Sequence, residues 1–169
     1  MIARARVAPP FSTLIDPDDV SFLAHGDMPA RLMAYCTRTK QMPPIDEGAI
    51  VRCCLESLAL KYRWTIERLE SILGTTIKTI HIVGGGTKNS LLCQFTANAC
   101  GRPVHAGPVE ATAIGNILMQ ALGRRQLSSI AELREVVARS FPVKLYEPHD
   151  TAVWNDAAER FTGLIPVLS

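Results

Sequence analysis

Residues 77–104 read IKTIHIVGGGTKNSLLCQFTANACGRPV and have the pattern of a β-α-β unit. The segment opens with an apolar run over residues 77–83, whose length and β-branched side chains are typical of a buried strand. After three glycines, apolar residues recur at three- and four-residue spacing, which predicts a helix with one buried face. These residues are Leu91, Leu92, Phe95 and Ala99. Gly101 and Pro103 end the helix, and Val104 begins the next strand.

The glycine triplet lies where open α/β sheets bind ligands. Gly84, Gly85 and Gly86 follow the first strand at the N-terminus of the helix, where backbone N–H groups face the crevice. Because glycine has no Cβ, the chain can turn sharply there and approach a ribose or a phosphate. The dinucleotide fingerprint has a glycine at its sixth position, where this sequence has Asn89. On spacing alone, a ligand-binding turn and a purely structural turn are equal alternatives.

Composition restricts the class of protein. With 169 residues, of which 47% are hydrophobic, the chain can bury the core of one domain. A net charge of +2 and an aromatic content of 6% give no electrostatic case for nucleic acid or an anionic membrane as a partner. The apolar runs are too short to span a membrane, and no signal peptide is evident, so we expect a cytoplasmic location.

The five cysteines and four histidines do not have the spacing of a zinc site. We expect the cysteines to be small buried hydrophobic residues. Cys36 and Cys53 lie on successive predicted helices and could approach each other. Their odd total number and a reducing compartment disfavour a disulfide framework.

Helices are predicted for most of the remaining chain. Residues 1–28 contain several turn signals and predict an irregular segment. Further helices are predicted over residues 29–40, 47–74 and 128–140, after Glu110, and from residue 150 or 151 to about residue 164. In the first of these, Leu32, Met33 and Cys36 share the apolar face. In the second, Asp46 is the N-cap, and a break near residues 63–64 is an open alternative.

The helix after Glu110 is predicted to pack closely on the sheet. Its first turns contain the small residues of the sequence ATAIGN, residues 111–116, which permit a close approach between a helix and a sheet. Glu110 itself is expected to stabilise the helix N-terminus or to tie down the preceding loop.

Two clear strands are too few for a self-sufficient α/β domain, since typical sheets have about five or six. A strand that is buried on both faces, as residues 77–83 predict, needs strands to pair with. We therefore interpret the sequence as the later portion of a larger unit.

Four motifs stand out along the chain: residues 26–29 (GDMP), 57–62 (SLALKY), 81–89 (HIVGGGTKN) and 107–116 (GPVEATAIGN). In this order they resemble the FGGY carbohydrate kinases, in particular those that phosphorylate L-rhamnulose at its 1-hydroxyl. The resemblance extends over about residues 14–148, although Ala24 and His25 stand where the family usually has Asn-Pro. It implies an α/β fold that is an incomplete actin-like ATPase (ribonuclease H-like) domain. This chain would supply the later portion of the kinase's C-terminal domain, with residues 1–28 as an irregular start and residues 29–169 as the partial nucleotide-binding domain.

The resemblance implies ATP and Mg²⁺ as cofactors and assigns a nucleotide site. In that site Gly84, Gly85 and Gly86 approach the adenosine, and Asn89 is a polar contact or the cap of the following helix. Thr87 and Lys88 are expected to be edge contacts, with a simple solvated charge as the alternative for Lys88. No catalytic residue or metal ligand is assigned, because the family's catalytic aspartate precedes this segment.

Four aspartates near the N-terminus are interpreted as turn and cap residues: Asp16, Asp18, Asp19 and Asp27. None of them matches the family's catalytic position.

Several functions remain open on the sequence. The leading one is a kinase segment that contributes to ATP binding and is inactive alone, with L-rhamnulose bound only in the presence of the missing N-terminal domain. In a second version, a separate chain supplies that N-terminal half. Two further candidates are a fragment of another FGGY sugar kinase and a non-catalytic nucleotide-binding or interaction module. A dinucleotide oxidoreductase is disfavoured, because the spaced glycines and the acidic residue after a second strand are absent.

Overall fold

The computed structural model describes residues 1–166. The α-helices in this range are α1 (Ile2–Val7), α2 (Met28–Arg38), α3 (Glu47–Leu73), α4 (Ser90–Cys100), α5 (Ala111–Gly123), α6 (Ile130–Ser140) and α7 (Thr151–Thr162). The strands are β1 (Ile80–Ile82), β2 (Val104–Ala106) and β3 (Lys144–Tyr146). Two 3₁₀ turns, Val20–Phe22 and Gly84–Lys88, complete the regular structure of this range. No helix within it is both long enough and apolar enough to cross a membrane.

The sheet confirms the predicted β-α-β unit. Strand β1 pairs in parallel with β2, so that Ile80 lies opposite Val104, and helix α4 connects the two. Strand β3 pairs antiparallel with β2 on its other side, with Tyr146 opposite Val104. Helix α4 packs on one face of this sheet through Cys93 and Ala97. The carboxyl ends of β1 and β2 therefore lie side by side, where the glycine triplet begins.

The 27-residue helix α3 is the centre of the main core. The side chain of Asp46 caps its N-terminus by accepting from Ala49 N, and Gly74 ends it in the left-handed conformation. The helix runs without interruption past residues 63–64, so the alternative of a break there is wrong. It packs against α1, α4 and α7 through one buried cluster: Ala5, Leu14, Leu55, Ala59, Leu60, Leu91, Phe95, Ala99, Trp154, Ala157 and Phe161.

The segment 1–28, which the sequence predicts to be irregular, contains the short helix α1. This helix has no side-chain N-cap, and its local sequence gives little reason to fold. Its stability comes from α3: Arg52 Nη1 donates to the carbonyls of Ala5 and Arg6, each at 3.2 Å. A Cβ on Gly48 would lie only 3.0 Å from Arg4 Cβ, so glycine permits the close packing of α1 on α3. These long-range contacts leave no local signal in the sequence.

Three predictions about burial are wrong. Helix α5 has no buried residue, and its contacts are mainly with α6 rather than with the sheet. Strand β1 is not buried on both faces, since His81 is exposed and its neighbours are half-buried. In α2, Met33 is 43% exposed and Tyr35 is buried in its place. For α5 and β1, the apolar residues have nothing to pack against in the described part of the chain.

The cysteines confirm the expectation of buried hydrophobic residues at three positions: Cys36, Cys53 and Cys93. Cys36 and Cys53 belong to one small core cluster between α2 and α3, and both are free thiols. Burial raises the pKa of both thiols, so they remain protonated at neutral pH.

Candidate functional site

The glycine triplet forms a tight 3₁₀ turn directly after β1. Gly84 has a φ of +77°, a conformation that favours glycine. The hydroxyl of Thr87 donates to the Gly84 carbonyl at 2.7 Å and closes the turn from inside. Thr87 therefore has a structural contact here, in addition to its expected position at the edge of a ligand site.

A second loop is hydrogen-bonded to this turn. Gly84 N donates to the Pro108 carbonyl at 3.0 Å, and Gly107 N donates to the Ile82 carbonyl at 2.9 Å. Gly107 has a φ of +139°, and a Cβ there would lie 2.7 Å from the Pro142 carbonyl oxygen, so glycine is required. The loops after β1 and β2 thus form one connected rim at the carboxyl edge of the parallel pair.

The three glycines of the triplet differ in what surrounds them. A Cβ on Gly86 would lie 3.5 Å from Ile82 Cγ2, an ordinary contact, and Gly84 needs its positive φ. Gly85 is exposed, has no positive φ, and a Cβ added to it would meet no atom within 4 Å. The packing of the described chain therefore gives no reason for glycine at position 85.

Asn89 has one of its two expected roles in this structure. It is the N-cap of α4, and its Oδ1 accepts from Leu92 N at 3.1 Å. Lys88 beside it is exposed and forms no ion pair with any residue in the range 1–166. Both side chains lie at the start of α4, adjoining the turn.

A cleft of about 520 Å³ adjoins the turn at Thr87. It is lined by the loop 107–110, by Phe141 at the end of α6 and by Lys144 at the start of β3. Glu110 lines the cleft and is the N-cap residue of α5, although its side chain makes no capping hydrogen bond there. Phe141 and Lys144 have no local signal in the sequence, because only the antiparallel pairing of β3 with β2 brings them to this edge.

Three of the N-terminal aspartates have the predicted turn and cap roles, namely Asp16, Asp19 and Asp27, whereas the exposed Asp18 pairs with Lys61. Asp27 Oδ1 accepts from Ala30 N and caps α2, and buried Asp16 accepts from Lys61 Nζ at 3.0 Å. Partial burial would raise the pKa of Asp19, but hydrogen bonds from Arg38 and Ser21 outweigh it and lower that pKa from 3.8 to about 2. All these carboxylates are engaged in folding contacts.

Metal-ligand side chains do not converge in this structure. No group of three or more His, Cys, Asp or Glu side chains comes together among residues 1–166. The described chain therefore does not fit the all-protein coordination of a divalent cation.

Comparison with known proteins gives the following relatives. Residues 1–123 match the family model described as the FGGY family of carbohydrate kinases, C-terminal domain. Rhamnulokinase of Bacteroides thetaiotaomicron is 45% identical over 165 residues, which are 98% of this chain and 34% of that protein. Rhamnulokinase of Bacillus subtilis is 40% identical and covers 87% of this chain and 30% of that protein. This chain thus spans about a third of the length of the curated relatives it matches.

Solved structures show a similar fold. Xylulose kinase from Rhodospirillum rubrum matches with a TM-score of 0.55 and 22% identity, over 70% of this chain and 24% of that one. Glycerol kinase of Plasmodium falciparum, crystallised with ADP, matches with a TM-score of 0.53 and 26% identity, over 71% of this chain and 25% of that one. In both cases the match covers about a quarter of the solved chain.

Proposed function

Because this chain belongs to the FGGY family of carbohydrate kinases, we propose that it is the ATP-binding, C-terminal part of an enzyme that phosphorylates L-rhamnulose. Its fold is the later portion of the α/β, actin-like C-terminal domain of those kinases. The names of the relatives support L-rhamnulose as the acceptor. The proposal includes a cytoplasmic location for this metabolic step.

One observation carries the proposal of ATP binding: Gly85 is open to solvent at the rim of the parallel strands. Gly84 is explained by its backbone conformation, whereas no contact or φ value requires glycine at position 85. A missing side chain on an exposed, hydrogen-bonded turn allows a ligand to contact the main chain directly. We infer that Gly84, Gly85 and Gly86 contact the adenosine of ATP, with Asn89 fixing the start of α4 beside it.

The mechanism assigns positioning, not proton transfer, to this chain. Phosphoryl transfer depends on orienting the phosphates, neutralising their charge and accepting the proton of the sugar hydroxyl. The turn offers main-chain groups held in place by the bond from Gly84 N to the Pro108 carbonyl. The aspartates of residues 1–28 are committed to caps and ion pairs, so the proton acceptor is assigned to the N-terminal domain. Mg²⁺ is assigned to the ATP phosphates and to that same domain.

The open side of β1 supports association with that N-terminal domain. In the described sheet, β2 pairs with only one side of β1. A groove of about 500 Å³ runs between β1 and α3 and is lined by Lys61, Tyr62 and Ile66. Unpaired strand edges favour pairing with another segment. We propose that the kinase half that binds L-rhamnulose, in the same polypeptide or in a separate one, packs against this side.

Substitution of Gly85 by valine tests the ATP site. We expect G85V to weaken ATP binding to the purified chain at least about tenfold, because the valine side chain would fill the space next to the main chain where ATP is proposed to bind. Calorimetry measures this affinity. Gly123 is the matched control: it is exposed, lacks a positive φ, and has open space around it. G123V should leave the affinity unchanged. Equal affinities of G85V and the parent chain would refute the site.

Turnover assays test whether the proton acceptor lies outside this chain. The chain alone should give no turnover of L-rhamnulose with Mg-ATP, whereas addition of the N-terminal two-thirds of the Bacteroides relative should restore it. Robust turnover by the chain alone would contradict the assignment of the proton acceptor. Binding of ATP without any restored turnover would favour a non-catalytic nucleotide-binding module.

A further inference from the structure

A second cleft, of about 610 Å³, lies between α4, α7 and the segment after α1. We name it the Arg6 cleft, after the residue at its rim. It shares no lining residue with the cleft at the glycine turn. Its volume is within the range of sites that bind small molecules, about 300–1,000 Å³.

Arginine side chains give the Arg6 cleft a cationic side. The exposed Arg6 uses Nη2 to donate to Ser90 Oγ at 3.0 Å, and its Nη1 and Nε have no partner among the described residues. Arg52 donates through Nε to Glu56 and through Nη1 to two carbonyls, and its Nη2 is likewise unpartnered within that range. Glu56 offsets the charge of Arg52, and Asp150 is the one acidic residue in the lining. Guanidinium groups with free N–H donors are the usual partners of phosphate oxygens.

Two amide side chains present unused polar atoms to the same cleft. Asn98, only 6% exposed, accepts through Oδ1 from Gln94 Nε2 at 2.8 Å and from His149 N at 3.1 Å. Asn98 Nδ2 and Gln94 Oε1 have no hydrogen-bond partner among residues 1–166. No fully buried side-chain N or O atom in that range lacks a partner, so both atoms retain some accessible surface, and both residues line the cleft. They offer one donor and one acceptor, which suits the hydroxyl groups of a ligand.

Mostly buried aromatic side chains complete the lining of the Arg6 cleft. Trp154 is 3% exposed, and the rings of Phe11 and Phe95 lie 4.8 and 5.3 Å from its ring. Arginine N–H donors and amide atoms of both polarities together match a ligand with a phosphate and hydroxyls. We propose that the Arg6 cleft binds a small sugar phosphate, with the phosphate at Arg6 and Arg52 and the hydroxyls at Gln94 and Asn98.

Fluorescence of Trp154 tests this binding site. The chain has two tryptophans, and a Trp64→Phe background leaves Trp154 as the reporter. Titration with ribose 5-phosphate should give a saturable change, and R6Q in that background should weaken it at least about tenfold, since one charge-assisted contact is lost. R139Q is the matched control, because Arg139 is an exposed arginine paired with Glu135 and outside the cleft. It should leave the affinity unchanged.

Inorganic phosphate and ribose separate the parts of the ligand. Phosphate alone should bind more weakly than ribose 5-phosphate, and ribose alone should give no saturable change. Absence of saturation by ribose 5-phosphate up to about 10 mM, or equal affinities of R6Q and the parent, would overturn the proposal. Amide chemical shifts of Asn98 and His149 in the unchanged chain provide the same test if the Trp64→Phe variant does not fold. None of these measurements depends on ATP binding at the glycine turn.

Discussion

Replacement of Glu56 is expected to release the N-terminal segment from α3. This residue is 1% exposed and accepts from Arg52 Nε at 2.7 Å and from Phe11 N at 2.9 Å. In E56A both donors lose their acceptor, and Arg52, whose side chain is 13% exposed, becomes a mostly buried unpaired charge. Removal of one partner of a buried ion pair costs about 3–5 kcal/mol of the free energy of unfolding. Urea unfolding followed by tryptophan fluorescence measures the loss.

An isosteric variant separates the charge of Glu56 from its hydrogen bonds. Burial raises the pKa of Glu56, although the hydrogen bonds from Arg52 and Phe11 oppose this. The folded state therefore holds its proton to higher pH than the unfolded state does, and the free energy of unfolding falls as pH rises through the folded pKa. E56Q does not ionise and keeps one oxygen acceptor, so it should cost less than E56A and should remove this pH dependence.

The exposed pair of Arg139 and Glu135 provides the control for the Glu56 variants. Their side chains are 74% and 68% exposed, so E135Q should change the free energy of unfolding by less than about 0.5 kcal/mol. If E56A also costs less than about 1 kcal/mol, the role of Glu56 in holding the N-terminal segment is refuted.

Two further predictions concern caps. Because hydrogen bonds with Arg38 and Ser21 lower the pKa of Asp19 from 3.8 to about 2, its charge stabilises the fold above pH 3.8, and this stabilisation is lost as pH falls through about 2. D19N should therefore lower the free energy of unfolding by about 1 kcal/mol at pH 7, after allowance for the exposure of Arg38. Below pH 2 it should have no effect. Urea unfolding curves that give the same loss at both pH values would contradict this prediction. N89A should lower the free energy of unfolding in urea by about 1 kcal/mol, because Leu92 N loses its cap. N89D keeps an acceptor oxygen and should retain the stability. Equal stabilities of N89A and the parent chain would exclude the cap.

Local signals were sufficient to predict the β-α-β unit and the ends of its helix, although β1 is Ile80–Ile82 and is shorter than the predicted strand over residues 77–83. The glycine at position 101 has the left-handed conformation of a helix end, and Asn89 caps α4, as residue types alone suggest. Asp46 and Ser129 likewise cap α3 and α6. In each case the helix end is determined by interactions between residues a few positions apart in the sequence.

The failed predictions depend on distant or absent partners. The apolar residues of α5 imply burial, yet Ile117 and Met119 are 66% and 53% exposed. No part of the described chain covers these two side chains, and this chain spans about a third of the length of its curated relatives. Helix α1 and the cleft residue Lys144 were missed for a related reason, since contacts far along the chain place them.

The two main-chain hydrogen bonds that tie the glycine turn to the loop after β2 have a thermodynamic consequence. Gly84 N and Gly107 N already donate hydrogen bonds across the rim, to the carbonyls of Pro108 and Ile82, and the Thr87 hydroxyl closes the turn internally. Little backbone freedom is left to be lost on the proposed binding of a nucleotide, so the entropic cost of ordering a flexible loop would be largely absent. Affinity at this rim is then governed by the contacts themselves, and a variant that loosens the rim should lower it through an unfavourable entropy of association.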